Sequence, residues 1–524
     1  MEQLNKVLPT TGEETQPAKV DITDGKENSY LLNKVHQNFN IFGQISLFFG
    51  VAFAILFYKT GIGINSLAFT IIMVSLLVYA AKRLEQSVSK EIIAYYLAAI
   101  LLSLSNMLTA SWKLQFLNTA GILLLLDVSL IRQYAERKHL EFPDYLGRMF
   151  MLPFRSIASM PMPFMDINGF LKKSRIFKND RVRNILIGTV IAIPILILIS
   201  ALLSSADQLF HKLTENITDM IFSSDPLLII LMVIFGFLVC YTIICGAVKK
   251  TGKAVIRVKA DPGIALTAAS LLFIIYALFC VIQVIYLFAG GILGLPEGFT
   301  YSQYARKGFF ELLTVTGINL ILILVCTNVF RENKGLKIVL TAISGCTYIM
   351  IASAVYRMLL YIGAYHLTFL RLLTLLFLLI DAIVLAGVII SIYNRQFPLF
   401  GYCVAVVSIC YLLFSFSKPD YFIASYLINN NKELEQEDVT FLTRELSFDA
   451  APVVIPLLYE IEDDLTSFYL ETETGRWLWK VGFDYNESEM YFYRVIAGEN
   501  TRDIRDFNLS YFIANMEAEQ YLFE

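Results

Sequence analysis

The side chains of this 524-residue chain that could do chemistry are a few charged residues set in long apolar segments. Charge inside a membrane is costly, so each indicates a ligand site or a buried ion pair. Glu311, Arg357 and Arg371 fall near corresponding ends of three successive apolar segments, where their surplus positive charge suits an anionic headgroup, carboxylate or pyrophosphate. An ion-pair network that only joins helices would also explain them. The predicted ligand- or partner-binding residues are Arg306, Lys307, Glu311, Arg357, Tyr361 and Arg371.

A second pair of polar residues lies deeper in the apolar segments. Asp381 falls near the midplane of its segment, and Asn319 lies at a similar depth in another one. A proton or cation relay would use such a pair. An aspartate that is hydrogen-bonded to a neighbouring helix would need no transport role. Asn319 and Asp381 are the predicted intramembrane polar residues, and both explanations stay open.

Motifs for catalysis and metal binding are missing from the sequence. There is no Walker loop, no GxSxG, no HExxH and no kinase signature. The seven cysteines lack the CxxC spacing of zinc ligands, and the four histidines are scattered. We therefore predict no catalytic residue, no metal site and no cofactor. The sequence favours a protein that is not an enzyme, with a transferase for an isoprenoid-linked substrate as an alternative.

The composition places these residues in a membrane protein. Hydrophobic residues make up 56% of the chain and charged residues 17%, and the mean hydropathy is +0.61. Soluble domains carry about 25% charged residues. This excludes a soluble globular enzyme, a nucleic-acid-binding protein and a disordered chain. We predict an all-α integral membrane protein with about 11 transmembrane helices and a small, mainly helical C-terminal extramembrane domain.

The predicted topology depends on the apolar segments and on the charges between them. Lys and Arg number 23 in one alternating set of loops and 5 in the other. Because cytoplasmic loops retain Lys and Arg, we predict a cytoplasmic N-terminus and an extracytoplasmic C-terminus in the plasma membrane of a bacterium. The eleven segments are 41–58, 62–80, 91–109, 115–131, 185–204, 227–248, 264–290, 309–329, 338–361, 368–392 and 398–416.

Five regions follow from this pattern. The loop between the two bundles mixes apolar segments with basic clusters, which suits contact with an anionic inner leaflet or packing beneath the bundle. The regions are a flexible cytoplasmic tail at 1–40, a first bundle of four helices at 41–131, a basic cytoplasmic or interfacial loop at 132–184, a second bundle of seven helices at 185–416 and an acidic extracytoplasmic domain at 417–524.

The C-terminal region differs in composition from the rest of the chain. Residues 417–524 hold 22 acidic and 8 basic residues and no cysteine. Helices are predicted at 421–430, 438–446, 451–459 and 507–521. The aromatic-rich, alternating stretches at 476–485 and 490–496 suggest a β-hairpin.

Several stretches resemble a family of bacterial multi-span membrane proteins known only as a domain of unknown function, the 4153/4173 group. The likeness covers roughly residues 185–524, and the family has no settled activity. The family often has Gly where His366 stands and Asn where Lys418 stands, so the resemblance implies no specific role for these two side chains. The similar stretches are SSADQLF at 204–210, YARKGFFELL at 304–313, YRMLLY with AYHLTFLRL at 356–372, KPD with Ile423 and Ala424, and RDFNLS at 505–510.

These observations predict a non-enzymatic envelope sensor, scaffold or regulator whose outer face carries a ligand or partner site. The alternative is a secondary transporter or lipid flippase with a path past Asn319 and Asp381. The expected partners are the lipid bilayer, including an anionic lipid or an envelope component, and a protein partner of the C-terminal domain. No nucleic-acid partner is expected, because the positive-inside charge already accounts for the basic runs.

Overall fold

The computed structural model describes residues 23–134, 142–173, 225–249, 259–293, 309–430, 434–459 and 485–523, with isolated residues between 188 and 212. The described elements are helices, and one parallel bridge between Ala260 and Phe330 joins two loops. The predicted all-α architecture is therefore confirmed.

Ten of the described helices are long and apolar enough to cross a membrane. The first bundle is α2 (Phe39–Phe57), α3 (Ile64–Arg83), α4 (Lys90–Leu108) and α5 (Trp112–Tyr134), preceded by α1 (Thr23–Gln37). Two helices too short to span follow, α6 (Phe142–Ala158) and α7 (Pro161–Lys173). The remaining spans are α8 (Asp225–Val248), α9 (Pro262–Leu293), α10 (Phe309–Val329), α11 (Lys334–Tyr365), α12 (Phe369–Tyr393) and α13 (Leu399–Phe416).

These ten helices correspond to ten of the eleven predicted segments. The other segment, 185–204, lies outside the described residues apart from isolated positions. The chain on either side of it lies at opposite ends of α2. Phe170 of α7 packs on Phe39 at the start of α2, with ring centroids 5.7 Å apart. Asp225, which begins α8, pairs with Lys59 just beyond the end of α2, at 2.7 Å.

The spans alternate in direction, so their loops fall on two faces. The docking face carries 58–63, 109–111 and 366–368, and the C-terminal residues contact all three of these segments. The cationic face carries 84–89, 259–261, 330–333 and 394–398. Contacts that join these loops include the bridge at Ala260 and a 2.6 Å ion pair between Arg395 and Glu332. The two faces match the two predicted sets of loops.

The two bundles are joined by an unusually close crossing of α2 and α8. A Cβ atom added to Gly236 would lie 2.7 Å from the Cα of Gly50, and one added to Gly50 would lie 2.3 Å from the carbonyl oxygen of Val233. Only glycine allows the backbones to approach this closely. Small residues serve the same purpose in other membrane helix pairs, where packing replaces the hydrophobic effect.

The basic loop at 132–184 forms two amphipathic helices over its described part. Phe150, Phe154 and Ile157 of α6 expose most of their side chains, whereas Leu152 and Ser156 are buried. Ser156 lies against Gly246 of α8, where an added Cβ would be 2.6 Å from the Ser156 hydroxyl. One side of α6 therefore packs on the bundle and the other is apolar and exposed, and the interfacial and packing roles both stay predictions.

The described C-terminal residues form a compact helical unit, which we call the C-terminal unit (417–523). Buried Val454, Ile455, Val495, Ala514 and Ala518 form its core, which is continuous with the core of the second bundle. Its helices are α14 (Pro419–Asn430), α15 (Gln436–Thr440) with a π-helical turn (Phe441–Glu445), α16 (Phe448–Tyr459), α17 (Tyr485–Asn500) and α18 (Leu509–Phe523).

The predicted hairpin is wrong where the structure describes it. Residues 490–496 lie within α17, and 476–484 lie outside the described residues. Tyr491 and Val495 are buried four positions apart on one side of this helix, while Tyr493 is 70% exposed. Tyr491 and Tyr493 lie on different sides of this helix, one buried and one exposed. Their spacing of two residues resembles the alternation of a strand.

Four described non-glycine residues have a positive φ, namely Lys59, Glu85, His366 and Lys418. Of these, His366, after α11, has φ 62°, and Lys418, before α14, has φ 49°. Glycine and asparagine tolerate a positive φ better than other residues. His366 and Lys418 therefore hold backbone strain that a glycine or an asparagine would relieve.

Candidate functional site

The main candidate site is the contact between the docking face and the C-terminal unit, which we call the junction. On the unit it comprises Asp449 and 506–510, and on the bundle 61–64 and 106–110. Six of its side chains are both polar and buried, namely Asn106, Thr109, Asp449, Asp506, Asn508 and Ser510. Hydrogen bonds, rather than apolar packing alone, therefore fix the position of the unit on the membrane helices.

Asp506 anchors the unit to the loop between α2 and α3. One of its carboxylate oxygens accepts a hydrogen bond from the Gly61 amide at 2.8 Å, and the other accepts one from the Asp503 amide at 2.6 Å. The next residue contributes its backbone, since the amide of Ile64 donates to the Phe507 carbonyl at 2.9 Å. An added Cβ on Gly63 would lie 2.4 Å from the carbonyl oxygens of Asp506 and Phe507. The loop fits the unit only because Gly63 has no side chain.

Asp449 anchors the unit to the loop between α4 and α5. The side chain is only 2% exposed. Its carboxylate accepts a 2.7 Å hydrogen bond from the Ala110 amide and another from the Thr109 hydroxyl. Burial raises the pKa of Asp449 above its ordinary value of 3.8, although these donors and Ser510 partly oppose the shift. The junction thus holds a carboxyl group that resists ionisation.

Asn508 makes four hydrogen bonds at the centre of the junction. Its Nδ2 donates to the carbonyls of Asn106 at 3.1 Å and Thr109 at 2.7 Å. Its Oδ1 accepts from the amides of Ser510 and Tyr511 at the start of α18. Asn508 therefore caps one helix and, together with the Gln115 amide, satisfies carbonyls at the end of another.

A polar network continues from the junction into the first bundle. Asn106 donates to the Ser66 hydroxyl at 3.1 Å, which links α4 to α3. The hydroxyl of Ser415 donates to the Oδ1 of Asn118 at 2.8 Å and pairs with Ser105 at 2.6 Å, which links α13 to α5 and α4. All five side chains are at least nine-tenths buried. Movement of the C-terminal unit would therefore disturb contacts among four spans.

The predicted binding residues Tyr361 and Arg371 lie at a second contact with the C-terminal unit. The guanidinium of Arg371 lies 4.2 Å from the ring centroid of Tyr361 and donates to the carbonyls of Tyr365 and His366. His366 in turn places its Nε2 3.8 Å from a carboxylate oxygen of Asp438. Tyr361 and Arg371 therefore lie together, and Arg371 holds the turn that carries His366 to the unit.

The ion-pair network predicted for Glu311, Arg357 and Arg371 would pair Glu311 with Arg357, and that pair stays a prediction. Arg357 is buried and donates to the Oε1 of Gln283 on α9 at 3.2 Å, and Ser353 donates to the same oxygen at 2.6 Å. Glu311 lies in the first turn of α10 and is exposed. The predicted binding residues Arg306 and Lys307 lie outside the described residues.

The predicted intramembrane pair lies where α10, α11 and α12 pack together. Asn319 is fully buried and donates from Nδ2 to the Thr347 hydroxyl at 3.0 Å, but its Oδ1 has no partner in the described part of the chain. Asp381 is 5% exposed and lies beside Thr316, and its Oδ2 likewise has no partner among those residues. In the part of the chain that the structure describes, the region thus holds two buried acceptor oxygens without donors.

The junction and the network below it were not predicted from the sequence. They depend on neutral side chains such as Asn106, Asn118 and Asn508, whereas the predicted sites rest mainly on charged residues. The available signal was the spacing of small polar residues near the ends of α3, α4 and α13. Within the described residues, no group of three or more His, Cys, Asp and Glu side chains is placed to bind a metal.

The comparisons with known proteins bear on the family alone. A family model described as "Domain of unknown function (DUF4153)" matches residues 96–457, which include spans from both bundles and part of the C-terminal unit. No match was found among curated proteins or solved structures. The match covers more than half of the chain, so this all-α multi-pass membrane protein belongs to the DUF4153 family.

Proposed function

We propose that this protein is a non-enzymatic sensor, scaffold or regulator of the bacterial envelope, whose C-terminal unit passes the presence of a ligand or partner to the membrane helices. The junction is the observation that supports this function. Asp449, Asp506 and Asn508 connect the unit to the ends of α2, α3 and α4, and the buried network continues to α5 and α13. A tethered but uncoupled domain would not need such contacts.

The proposed orientation has the N-terminus in the cytoplasm and the C-terminal unit outside, in the plasma membrane. The charges of the two faces support it, since cytoplasmic loops retain Lys and Arg. The cationic face carries Lys82, Arg83, Arg132, Arg331 and Arg395 among others. The docking face is poor in such residues, and the unit above it is acidic.

The ligand or partner would bind at the outer end of the second bundle. Arg371, Tyr361 and His366 lie there beside Asp438 of the unit. An anionic envelope component, an anionic lipid or a protein partner of the unit would contact both parts at once. Binding at this position would bias the docking of the unit.

The orientation is tested by cysteine labelling in intact cells. Ile504 of the C-terminal unit is 89% exposed, and Lys82 on the cationic face is also exposed. We expect an impermeant maleimide to label Ile504→Cys at once and Lys82→Cys only after the membrane is opened. The reverse pattern would contradict the proposed orientation.

The coupling is tested by complementation of a deletion strain under envelope stress. The Asn508→Ala protein should still insert in the membrane, but its C-terminal unit should detach from the bundle. Increased protease sensitivity of the unit would report this detachment. We expect this variant to fail to complement, while Asn429→Ala, an exposed change within α14, restores wild-type growth. Full complementation by a variant with a released unit would reject a coupling role.

The second candidate function is a secondary transporter or lipid flippase. The two unpartnered oxygens of Asn319 and Asp381 favour it, because a transported proton or cation would satisfy both. Asp381→Asn keeps the size of the side chain and removes its titration. Loss of complementation by a well-expressed Asp381→Asn protein would favour transport over sensing. We expect normal growth, because the amide can hydrogen-bond to the same neighbours.

A further inference from the structure

We infer that the cationic face contains a binding site for a phosphate-bearing anion, either the headgroup of an anionic phospholipid or a free phosphate ester. The site is a cavity of about 360 Å³ at the ends of α5, α10 and α12 and the starts of α6, α11 and α13. It lies on the opposite face from the junction, and it does not depend on the proposed function.

The charge of the cavity wall indicates an anion. The residues that line the cavity include five cationic side chains and one acidic side chain, Glu332. Like charges around one cavity repel one another, so a bound anion would offset the free-energy cost of bringing them together. The cationic residues are Arg132, Lys259, Arg331, Lys337 and Arg395.

The backbone holds these cations in place. The Ala260 amide donates to the Val329 carbonyl at 3.0 Å, and the Arg331 amide donates to the Ala260 carbonyl at 3.1 Å. This bridge holds the loop of Lys259 against the loop of Arg331, and both residues line the cavity. Asn333 caps α11 by accepting from the Gly335 and Leu336 amides, which fixes the end of the preceding loop. A preformed wall of this kind binds with little loss of entropy.

The pairing of the cations leaves charge available to a ligand. Glu332 binds both Lys337 and Arg395, at 2.7 and 2.6 Å. Arg132 pairs with Glu91 outside the cavity wall and donates to the Tyr145 hydroxyl. Arg331 forms no side-chain ion pair or hydrogen bond within the described residues. A guanidinium matches two oxygens of a phosphate at once, so Arg331 is the principal expected contact.

The remaining wall suits the uncharged part of such a ligand. Tyr145 stacks on Phe400 with ring centroids 4.4 Å apart, and both line the cavity. Leu336, Leu340 and Leu399 form apolar surface beside them. A phospholipid would place its glycerol and first methylenes there. A free phosphate ester would place its organic group on the aromatic rings.

The test measures binding to the purified full chain with a matched control. Affinity is measured for dioleoyl-phosphatidylglycerol and dioleoyl-phosphatidylcholine by native mass spectrometry, and for inorganic pyrophosphate by calorimetry. The cavity variant is Lys259→Gln with Arg331→Gln. The control is Lys82→Gln with Arg83→Gln, which removes the same charge from the same face away from the cavity.

We expect an anionic probe to bind wild type and the control alike, and the cavity variant about tenfold or more weakly. Preference for phosphatidylglycerol over phosphatidylcholine would identify a lipid headgroup. Binding of pyrophosphate without a lipid preference would identify a free phosphate compound. Equal losses in the cavity variant and the control would overturn the site, because only the general field of the face would then matter.

A gain-of-binding variant separates binding from folding. Glu332→Gln removes the acid of the cavity wall and releases Lys337 and Arg395, so it should bind the same anion more tightly than wild type. A misfolded protein would not show this increase. Unchanged or weaker binding by a Glu332→Gln protein with normal thermal stability would overturn the proposed site.

Discussion

The docking face and the cationic face are held together by different kinds of interaction. Both must hold loops from several spans together at the end of a helical bundle. At the docking face, the side-chain amide of Asn508 donates and accepts hydrogen bonds in a buried interface, and the carboxylate of Asp449 accepts them. At the cationic face, Glu332 joins Lys337 and Arg395 around an open cavity.

The two faces differ in whether their polar or charged groups remain available to a ligand. The hydrogen bonds of Asn508 join the bundle to the C-terminal unit and leave none of its own polar atoms for a ligand. The cavity of the cationic face retains a surplus of positive charge. Buried hydrogen bonds are suited to fixing a structure, whereas partly solvated surplus charge is suited to attracting a ligand.

The largest expected effect comes from breaking the docking face at its centre. Asn508→Ala would leave two amides of α18 without their partner, while the Asn106 and Thr109 carbonyls would keep only the Gln115 side-chain amide. Unsatisfied buried groups cost about 1–3 kcal/mol each, so we expect a loss of about 2–6 kcal/mol in the free energy of unfolding. Thermal unfolding of detergent-purified protein measures the loss, with Asn429→Ala as the control. A change no larger than in that control would show that the contacts carry no stability.

An intermediate effect is expected from titrating the docking face. The folded-state pKa of Asp449 is raised by burial, so the folded protein binds this proton more tightly than the unfolded chain. Its contribution to stability is therefore complete below pH 3.8 and is lost as the pH rises through the folded-state pKa. The stability of wild type minus that of Asp449→Asn should fall over this range.

Asp503 provides a control of opposite sign. A hydrogen bond from Arg505 lowers the pKa of this exposed carboxyl. Its contribution is present above the ordinary pKa of 3.8 and is lost as the pH falls through the lower folded-state value. Thermal midpoints of wild type, Asp449→Asn and Asp503→Asn across this range give both signs. Parallel curves for wild type and Asp449→Asn would contradict the assignment to Asp449.

The smallest effect is expected at His366 and Lys418, two of the four described residues with positive φ. His366→Gly and Lys418→Asn replace strained residues by ones that tolerate φ 62° and 49°. Relief of the left-handed strain, less the added backbone entropy of the unfolded chain, should raise the free energy of unfolding by about 1 kcal/mol or less for each. Lys113→Asn, a change at a helical position, should bring no such gain. Thermal midpoints lower than wild type for both variants would mean that the side chains matter more than the backbone.

The sequence predicted the spans well because span length depends on a local quantity, the run of apolar residues. It also predicted that Tyr361 and Arg371 share a depth, since their helices are consecutive. It did not predict the junction, whose partners Gly61 and Asp506 are 445 positions apart and carry no pattern that links them. The hairpin prediction failed because period-2 aromatics at 490–496 combine a buried and an exposed side of one helix.

The close crossing of α2 and α8 has a consequence for biosynthesis. Gly50 emerges from the ribosome about 190 residues before Gly236, which at roughly 5–20 residues per second is a delay of about 10–40 s. During that time the groove of α2 lacks its matching helix and must be covered by lipid or by the insertion machinery. Mutations that enlarge Gly50 would therefore act late in synthesis, when α8 arrives and finds no room beside α2.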